Sequence, residues 1–304
     1  MRKIFHILIL TILCSLAYGQ DTLTYRIGRI DSIAVTDLSR IQTFKVGGVR
    51  YYNPTPENDT IYFSSEQPAT PDQVSITFRT KTNQDTIWVD WGEDAPVWVS
   101  GTTDQTKTSD YSAGSTTYNI KIYGDVDKIT KFSVNETYVT FGAMSNNIGK
   151  MTGLTYLYLR NCTGVATCTG ADIPTGLTTW YWHTLPNLTA TVNSADIPTG
   201  LNYWYWYNLP KLTTNGLSIT ALSKALTLIT MSTITLSTTR VNELLASMDA
   251  YYTGANLMTE NAAITLNGTG VGAPTDGASN ANILSLTSKA TLQGKLWSFV
   301  INTP

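Results

Sequence analysis

Two patterns of apolar and polar residues divide the chain, and both indicate β structure. From Val74 onward, apolar side chains alternate with polar ones in short runs that are separated by turn-forming residues. Such period-two alternation is typical of antiparallel strands with one buried face. The runs that share it are 74–78, 87–91, 97–99 and 118–122. The pattern predicts an antiparallel β-sandwich over residues 71–127.

The second pattern is an internal repeat of the form L-x-x-L-x-L. Its units share an aliphatic first residue and begin at Ile129, Leu154, Leu177, Leu201 and Leu226. The linkers at 171–176 and 195–200 are identical in sequence. The units begin 23 to 25 residues apart. A repeat of this length is one supersecondary unit that buries its apolar face by stacking on its neighbours. We therefore expect a solenoid over residues 128–304, with one short strand in each coil.

After Ser237 the apolar spacing changes from strand-like to helical. The residues that recur at helical spacing are Val241, Leu244, Leu245, Met248 and Tyr252. Gly254 is a C-terminal stop for this helix. A strand at 263–266, a short helix at 288–293 and a last strand at 297–301 follow. We expect these elements to form a cap from about residue 238 that covers the apolar end of the solenoid.

The N-terminus carries the features of a secretory signal. Arg2 and Lys3 precede an apolar run at 4–16, and small residues at 17 and 19 fit a signal-peptidase site. About 13 apolar residues are too few to cross a membrane as a helix, so we expect residues 1–19 to be removed and the mature chain to have no membrane span. Lipidation at Cys14 is disfavoured because a leucine precedes it. The expected location is extracellular or on the cell surface.

Residues 20–70 give a weaker signal. Short β-like stretches lie at 24–27, 44–52 and 60–63, and glycines and prolines interrupt them. We assign this segment to an N-terminal β extension.

Two segments resemble known families. The stretch 88–92 (Trp-Val-Asp-Trp-Gly) and the later strand pattern at 117–122 resemble the PKD-type immunoglobulin-like domains of bacterial surface proteins, although Glu93-Asp94 replaces the usual Asp-Gly. The L-x-x-L-x-L units resemble leucine-rich repeats of bacterial adhesins. The resemblances imply a mainly β protein with an immunoglobulin-like β-sandwich, followed by a leucine-rich-repeat solenoid with a helix-containing C-terminal cap.

Charge and histidine content narrow the function classes. The chain has 20 Lys+Arg, 22 Asp+Glu and 2 His. Without Arg2 and Lys3 it keeps 18 basic against 22 acidic side chains, so we expect no nucleic-acid partner, since phosphate binding needs clustered basic residues. His6 lies in the predicted signal, and His183 alone supports neither a His-based triad nor a multi-His metal site.

The common catalytic motifs are also absent from the sequence. It contains no nucleophile elbow, Walker A loop, H-E-x-x-H pair or dinucleotide fingerprint. We therefore expect a protein that is not an enzyme and that carries no cofactor.

The residues between the apolar repeat positions form the candidate binding site. Side chains alternate along a strand, so these residues point outward from the parallel sheet. Those with aromatic or basic side chains are Tyr156, Tyr158, Arg160, Tyr181, His183, Tyr203, Tyr205 and Tyr207. Tyrosine combines a flat apolar ring with a hydrogen-bonding tip, which suits sugar rings and protein hot spots. The alternative is a cross-strand aromatic ladder that stabilises the sheet without a ligand.

The apolar repeat positions themselves predict core packing. Four of them hold the large aromatic side chains Trp180, Trp182, Trp204 and Trp206. Burial of these side chains requires a partner for each indole N–H.

Cysteines and carboxylates leave two questions open. Cys162 and Cys168 are six residues apart in an exported chain, so either they form a disulfide or they are small buried apolar residues. Asp90, Glu93 and Asp94 either begin a Ca²⁺ site or form a solvated turn.

Asp-Thr/Ser-aliphatic triplets at 21–23, 31–33, 59–61 and 85–87 resemble O-glycosylation sites of exported bacterial proteins, although chance and β propensity also produce them.

The function expected from these features is that of a non-enzymatic, exported surface or secreted adhesion protein. Its outward sheet face would recognise a protein or a glycan. One alternative is a polysaccharide-active enzyme or an accessory glycan-binding protein, and convergence of Asp172 and Asp196 on His183 would favour the enzyme. The other alternative is a structural part of a phage or cell-surface assembly.

Overall fold

The computed structural model describes the backbone of residues 23–27, 30–35, 43–46, 49–52, 60–144, 147–164, 166–217, 223–253, 256, 258–273 and 277–301. Side chains are described from residue 60 onward, apart from 277–280. The predicted signal segment, with Cys14 and His6, lies outside the described residues. The chain divides into two compact units, Met1–Asn58 and Asp59–Pro304.

The described residues of the first unit form two antiparallel strand pairs. Strand β1 (Leu23–Ile27) pairs with β2 (Ile30–Val35), and β3 (Thr43–Val46) pairs with β4 (Val49–Tyr52). The β-like stretches predicted at 24–27 and 44–52 therefore fall on strands.

The second unit contains the repeats. Its strands are β5 (Ile61–Glu66), β6 (Gln73–Thr80), β7 (Ile87–Asp90), β8 (Val97–Val99), β9 (Gln105–Asp110), β10 (Thr117–Gly124), β11 (Ile129–Asn135), β12 (Val139–Thr140), β13 (Gly142–Ala143), β14 (Tyr156–Arg160), β15 (Ala166–Thr169), β16 (Thr179–His183), β17 (Leu188–Val192), β18 (Tyr203–Leu209), β19 (Leu212–Thr214), β20 (Leu228–Ile234), β21 (Ala262–Asn267) and β22 (Trp297–Ile301). Its helices are α1 (Thr238–Tyr251) and α2 (Gly277–Leu292). Short 3₁₀ turns lie at Val126–Lys128, Ile148–Lys150, Gly170–Asp172 and Ser194–Asp196.

The repeats form a parallel β-solenoid of about four turns. Strands β11, β14, β16, β18, β20, β21 and β22 lie side by side and run parallel in one sheet. The order β13-β15-β17-β19 makes a second parallel sheet in the same coils. A mainly β chain with a solenoid is thus confirmed. The prediction of one strand per coil was incomplete, because the second strands are short and their outward positions hold polar threonines.

The antiparallel strands continue the solenoid sheet at its N-terminal end. Strand β11 pairs antiparallel with β6, and β6 pairs with β9. A separate five-stranded sheet has the order β12-β5-β10-β7-β8. Strand β5, at the end of the segment that we assigned to the extension, belongs to this sheet. The two sheets meet where Phe132 on β11 contacts Phe63 on β5, with ring centroids 6.5 Å apart, and Phe78 on β6 packs against the same Phe132 ring at 5.7 Å. The apolar end of the first coil is therefore covered.

Two helices follow the last clear repeat. Helix α1 begins after Ser237, whose side chain accepts a hydrogen bond from the backbone N–H of Arg240. Four of the five residues predicted from helical spacing are its buried residues, and the fifth, Tyr252, is buried directly after its last residue. Helix α2 is much longer than the helix predicted at 288–293. Its sequence is rich in Ser, Thr, Asn and Ala, and Leu284 and Leu292 are exposed, so no apolar stripe marks the full helix in the sequence.

Four tryptophans fill the centre of the solenoid. Trp180, Trp182, Trp204 and Trp206 are completely buried. Trp180 stacks on Trp204 and Trp182 on Trp206 across neighbouring strands, with ring centroids 6.3 Å apart in both pairs. Within each strand the two rings meet edge to face at 4.9 and 5.0 Å. The expected hydrogen-bond partners of the four indole N–H groups are missing among the described residues.

Each coil turns at one residue with left-handed backbone. The residues after the outward-facing strand segments are Asn161, Thr184, Asn208, Thr233 and Gly268, with φ values of 57, 51, 53, 54 and 87°. The strand register places these five residues at one position of successive coils. Gly and Asn adopt this conformation readily, whereas a β-branched residue is strained in it. The two threonines are therefore the strained members of the series.

Replacing a strained threonine should stabilise the solenoid. Thr233→Asn should raise the free energy of unfolding by about 1 kcal/mol because asparagine tolerates positive φ. The reverse change one coil earlier, Asn208→Thr, should lower it by a similar amount. Urea denaturation followed by circular dichroism measures both. A stabilising Asn208→Thr change would contradict the assignment of strain to this position.

Candidate binding site

The eight predicted site residues lie on the outward face of strands β14, β16 and β18. Along these strands, buried repeat residues alternate with partly exposed ones. The register aligns Tyr158 with Tyr181 and Tyr205 in a central row. A row on one side of it contains Tyr156, Thr179 and Tyr203, and a row on the other side contains Arg160, His183 and Tyr207. The structure therefore brings all eight residues onto one surface.

The central row forms a continuous stack of rings, which we call the tyrosine ladder (Tyr158, Tyr181 and Tyr205). The ring centroids of Tyr158 and Tyr181 are 4.4 Å apart at an interplanar angle of 14°. Those of Tyr181 and Tyr205 are 4.3 Å apart at 7°. The rings follow the spacing of the strands, about 4.8 Å. Both faces of the Tyr181 ring are consequently covered, whereas Tyr158 and Tyr205 each have a ladder neighbour on one face only.

The row with His183 continues the aromatic surface. The His183 ring stacks on Tyr207 with centroids 4.7 Å apart, and it also lies parallel to Tyr181 and Tyr205 at about 6 Å. Nδ1 of His183 is 2.9 Å from the Thr184 hydroxyl. Arg160 occupies the outward position next to Tyr158 on β14, and interaction with the Tyr158 hydroxyl raises the pKa of its guanidinium. One cation and one imidazole thus border the ladder.

A second cation, Lys131, lies beside the row that contains Tyr156, and the sequence analysis missed it. Nζ of Lys131 lies 4.6 Å from the centre of the Tyr156 ring, a cation–π contact, and 2.8 Å from a carboxylate oxygen of Asp104. Alignment of the first repeat unit with the second places Lys131 opposite Tyr156, so the repeat itself held this signal. Tyr203, at the other end of the row, is 48% exposed.

Burial and neighbouring charge fix the protonation of the site at neutral pH. Partial burial and neighbouring tyrosines raise the pKa of Tyr181, and partial burial raises that of Tyr205, so both hydroxyls stay protonated. Desolvation, with the positive charge of Arg160, lowers the pKa of His183, which keeps the imidazole neutral. The site therefore combines neutral aromatic side chains with the cations of Arg160 and Lys131.

The carboxylates that would support an enzyme are used structurally. Asp172 and Asp196 close capping boxes on the 3₁₀ turns, where they accept hydrogen bonds from Thr169 and Asn193. The charge that acts on His183 is that of Arg160. The convergence on His183 that would favour an enzyme is therefore not seen.

The acidic turn at 90–94 is also engaged in protein contacts. Asp90 accepts from the backbone N–H of Gly92 and lies 3.5 Å from Nζ of Lys121, and Glu93 accepts from Ser112. Within the part of the chain that the structure describes, no group of three His, Cys, Asp or Glu side chains is placed to hold a metal ion.

The two cysteines are unbridged and buried. Each thiol donates to a backbone carbonyl, Cys162 to Arg160 and Cys168 to Thr169. Burial raises the pKa of Cys162 to about 12 and raises that of Cys168 as well. Both groups therefore stay as neutral thiols at physiological pH, in line with the alternative of small buried residues.

Comparisons with known proteins add no relative. No protein-family model, curated protein or solved structure matches the chain. Neither of the two helices described here has the length and apolar character needed to cross a bilayer. The chemistry of the site therefore has to be argued from its own geometry.

The two faces of the sheet should respond differently to truncation. Trp206→Ala should lower the free energy of unfolding by about 3 to 5 kcal/mol because it leaves a large cavity in the core. Tyr205→Ala, on the outward face of the same strand, should cost about 1 kcal/mol. Chemical denaturation of both variants provides the comparison. Equal losses would mean that the ladder is as much a part of the core as the tryptophans.

The histidine should titrate below its ordinary range. Because the folded-state pKa of His183 is lowered, the unfolded chain binds a proton first as pH falls below about 6.5, and stability should decline in that window. In residues 20–304, His183 is the single histidine and gives one NMR titration curve. Its midpoint should lie below 6.5, and Arg160→Gln should raise it. A midpoint at or above 6.5 would contradict the role of burial and of Arg160.

Proposed function

We propose that this chain is an exported, non-enzymatic binding protein that is secreted or held on the cell surface. In this proposal the tyrosine ladder and its flanking rows recognise a protein ligand. In this proposal, residues 71–127 are a PKD-type immunoglobulin-like module and the following coils are a variant of the leucine-rich repeat. The signal-like N-terminus, the repeat sequence and the aromatic outward face support it.

The observation that carries the proposal is the rigid stacking of the ladder. Three tyrosines are held 4.3 to 4.4 Å apart on a parallel sheet whose core is filled by tryptophan. Side chains that are already ordered lose little entropy on binding, which is the property of a preorganised recognition surface. Tyrosine and arginine are also the residue types enriched at protein hot spots.

The covered ring faces favour a protein over a glycan at this surface. A sugar ring binds an aromatic residue by lying on its face, but both faces of Tyr181 are covered by its neighbours in the ladder. Ring edges, hydroxyl groups and the cation of Arg160 remain available, whereas Lys131 is paired with Asp104. These groups suit the backbone carbonyls and carboxylates of a protein.

Truncation within the ladder tests the proposal. Tyr181→Ala and Tyr205→Ala should each weaken binding to the ligand found on a protein and glycan array by about 1 to 3 kcal/mol, while the fold persists. Tyr62→Ala is the matched control, since Tyr62 is an exposed tyrosine on the five-stranded sheet. If the ladder variants bind as tightly as the parent chain, recognition does not use this surface.

A further inference from the structure

Arg160 lies beside the tyrosine ladder without an acidic partner. Among the ion pairs of the described residues, none includes it, and the groups that act electrostatically on its guanidinium are the hydroxyls of the ladder. Two other basic residues of the same sheet, Arg79 and Lys131, are both paired with Asp104. The charge of Arg160 is therefore not neutralised by a carboxylate of the described protein.

The guanidinium also has a donor that the protein does not satisfy. Nε of Arg160 is shielded from solvent, yet no acceptor among the described residues lies within hydrogen-bond distance of it. The side chain as a whole is partly exposed. An arginine that lacks an acceptor of its own is suited to bind one from a ligand, since its planar guanidinium donates two parallel hydrogen bonds to a carboxylate.

Polar side chains lie on both sides of Arg160. The strand register aligns Asn135, Arg160, His183 and Tyr207 in one row, with neighbours about 4.8 Å apart. Oδ1 of Asn135 accepts from Nδ2 of Asn161 at 3.0 Å, so Asn135 can offer its amide N–H groups to a ligand. The stacking of His183 on Tyr207 holds the imidazole beside the guanidinium. One cation is thus flanked by two side chains that can donate hydrogen bonds.

A single cation suits a ligand group with a single negative charge. A phosphate group carries a charge of about −1.5 to −2, and phosphate sites combine several basic side chains. Lys131 does not supply a second charge here, because it lies on the other side of the ladder and is paired with Asp104. A carboxylate carries one charge and matches the planar guanidinium of Arg160.

We propose that Arg160, with Asn135 and His183 beside it, forms a carboxylate subsite of the surface around the tyrosine ladder. The carboxylate is an Asp or Glu side chain or the C-terminus of the protein ligand. It bonds the guanidinium while the rest of the ligand packs across the ladder. This inference rests on the function proposed above and adds the chemistry that the ligand must carry.

The subsite links binding to the protonation of His183. The titratable groups that face its ring are Arg160 on β14, Tyr181 on its own strand, and Tyr205 and Tyr207 on β18. Desolvation and the positive charge of Arg160 lower the pKa of His183. A bound carboxylate offsets that positive charge, so occupancy should raise the pKa. By linkage, affinity should increase as pH falls below about 6.5 while the ligand carboxylate stays ionised.

A peptide array in matched sets tests the subsite with the purified full chain. Each set contains a peptide with Asp and Glu, its counterpart with Asn and Gln, and both with a free or an amidated C-terminus. We expect a carboxylate to strengthen binding by about tenfold or more over its amide counterpart. A difference confined to the C-terminal pair assigns the carboxylate to the C-terminus, and one confined to the side-chain pair assigns it to Asp or Glu.

Charge variants assign that difference to Arg160. Arg160→Gln should remove it, and Arg160→Lys should keep part of it, because lysine retains the charge but not the two parallel donors. The Lys variant also serves if the Gln variant does not fold, which the unfolding temperature shows. Lys81→Gln is the matched control, since it removes an exposed cation directly after β6, and it should leave the difference unchanged.

The NMR titration of His183 gives a readout that a merely structural role of Arg160 would not move. Its midpoint should rise when an acidic peptide is bound and should rise less with the amide counterpart. His183→Gln should abolish the increase of affinity between about pH 7 and pH 5.5.

Equal affinity for acidic and amide peptides, or an unchanged difference in Arg160→Gln, would overturn the carboxylate subsite. If binding is still lost in Tyr181→Ala in that case, the function proposed for the ladder stands. If no peptide or protein binds in a way that depends on Tyr181, both proposals fail.

Discussion

The in-register pairing of parallel strands is the constraint on which the rest of the structure depends. Because side chains alternate along a strand, one register stacks tryptophan on tryptophan inside the coil and tyrosine on tyrosine outside it. A slip by one residue would exchange the two sets and place four indoles in water. The tryptophan stack inside the coil and the tyrosine stack outside it therefore favour the same register. The positions of the outward side chains are fixed by the register in the same way as those of the core.

Much of the solenoid was predictable because its repeat carries information at every coil. The outward strands, helix α1 and the eight site residues follow from spacing alone. The second-sheet strands were missed because four- or five-residue segments such as Ala166–Thr169 resemble loops in composition. The extent of α2 was missed for a related reason, since its long polar sequence shows no apolar stripe. A local sequence pattern does not predict a helix or strand whose formation depends on tertiary contacts more than on intrinsic propensity.

Details of the site depend on side-chain geometry, which the spacing of residues in the sequence does not determine. The repeat predicts that three tyrosines lie side by side, but the ring torsion angles decide whether their faces are open or covered. The stacking of Tyr158 and Tyr205 on the two faces of Tyr181 removes face-on binding at Tyr181, a binding mode that the tyrosine composition suggests. Similarly, the capping roles of Asp172 and Asp196 depend on the backbone of the 3₁₀ turns.

Strand arrangement also decides how aromatic side chains pack on the outside of the sheets, as the tyrosine ladder and the pair Trp88 and Trp98 show. In the parallel solenoid, each coil repeats the previous one, so equivalent rings adopt equivalent rotamers and stack at nearly the strand spacing. In the antiparallel sheet, Trp88 and Trp98 lie on strands of opposite direction and lean along them in opposite senses, which works against continuous stacking. Repetition thus stacks rings on both faces of Tyr181, whereas Trp88 and Trp98, although opposite each other, form no ring stack with one another.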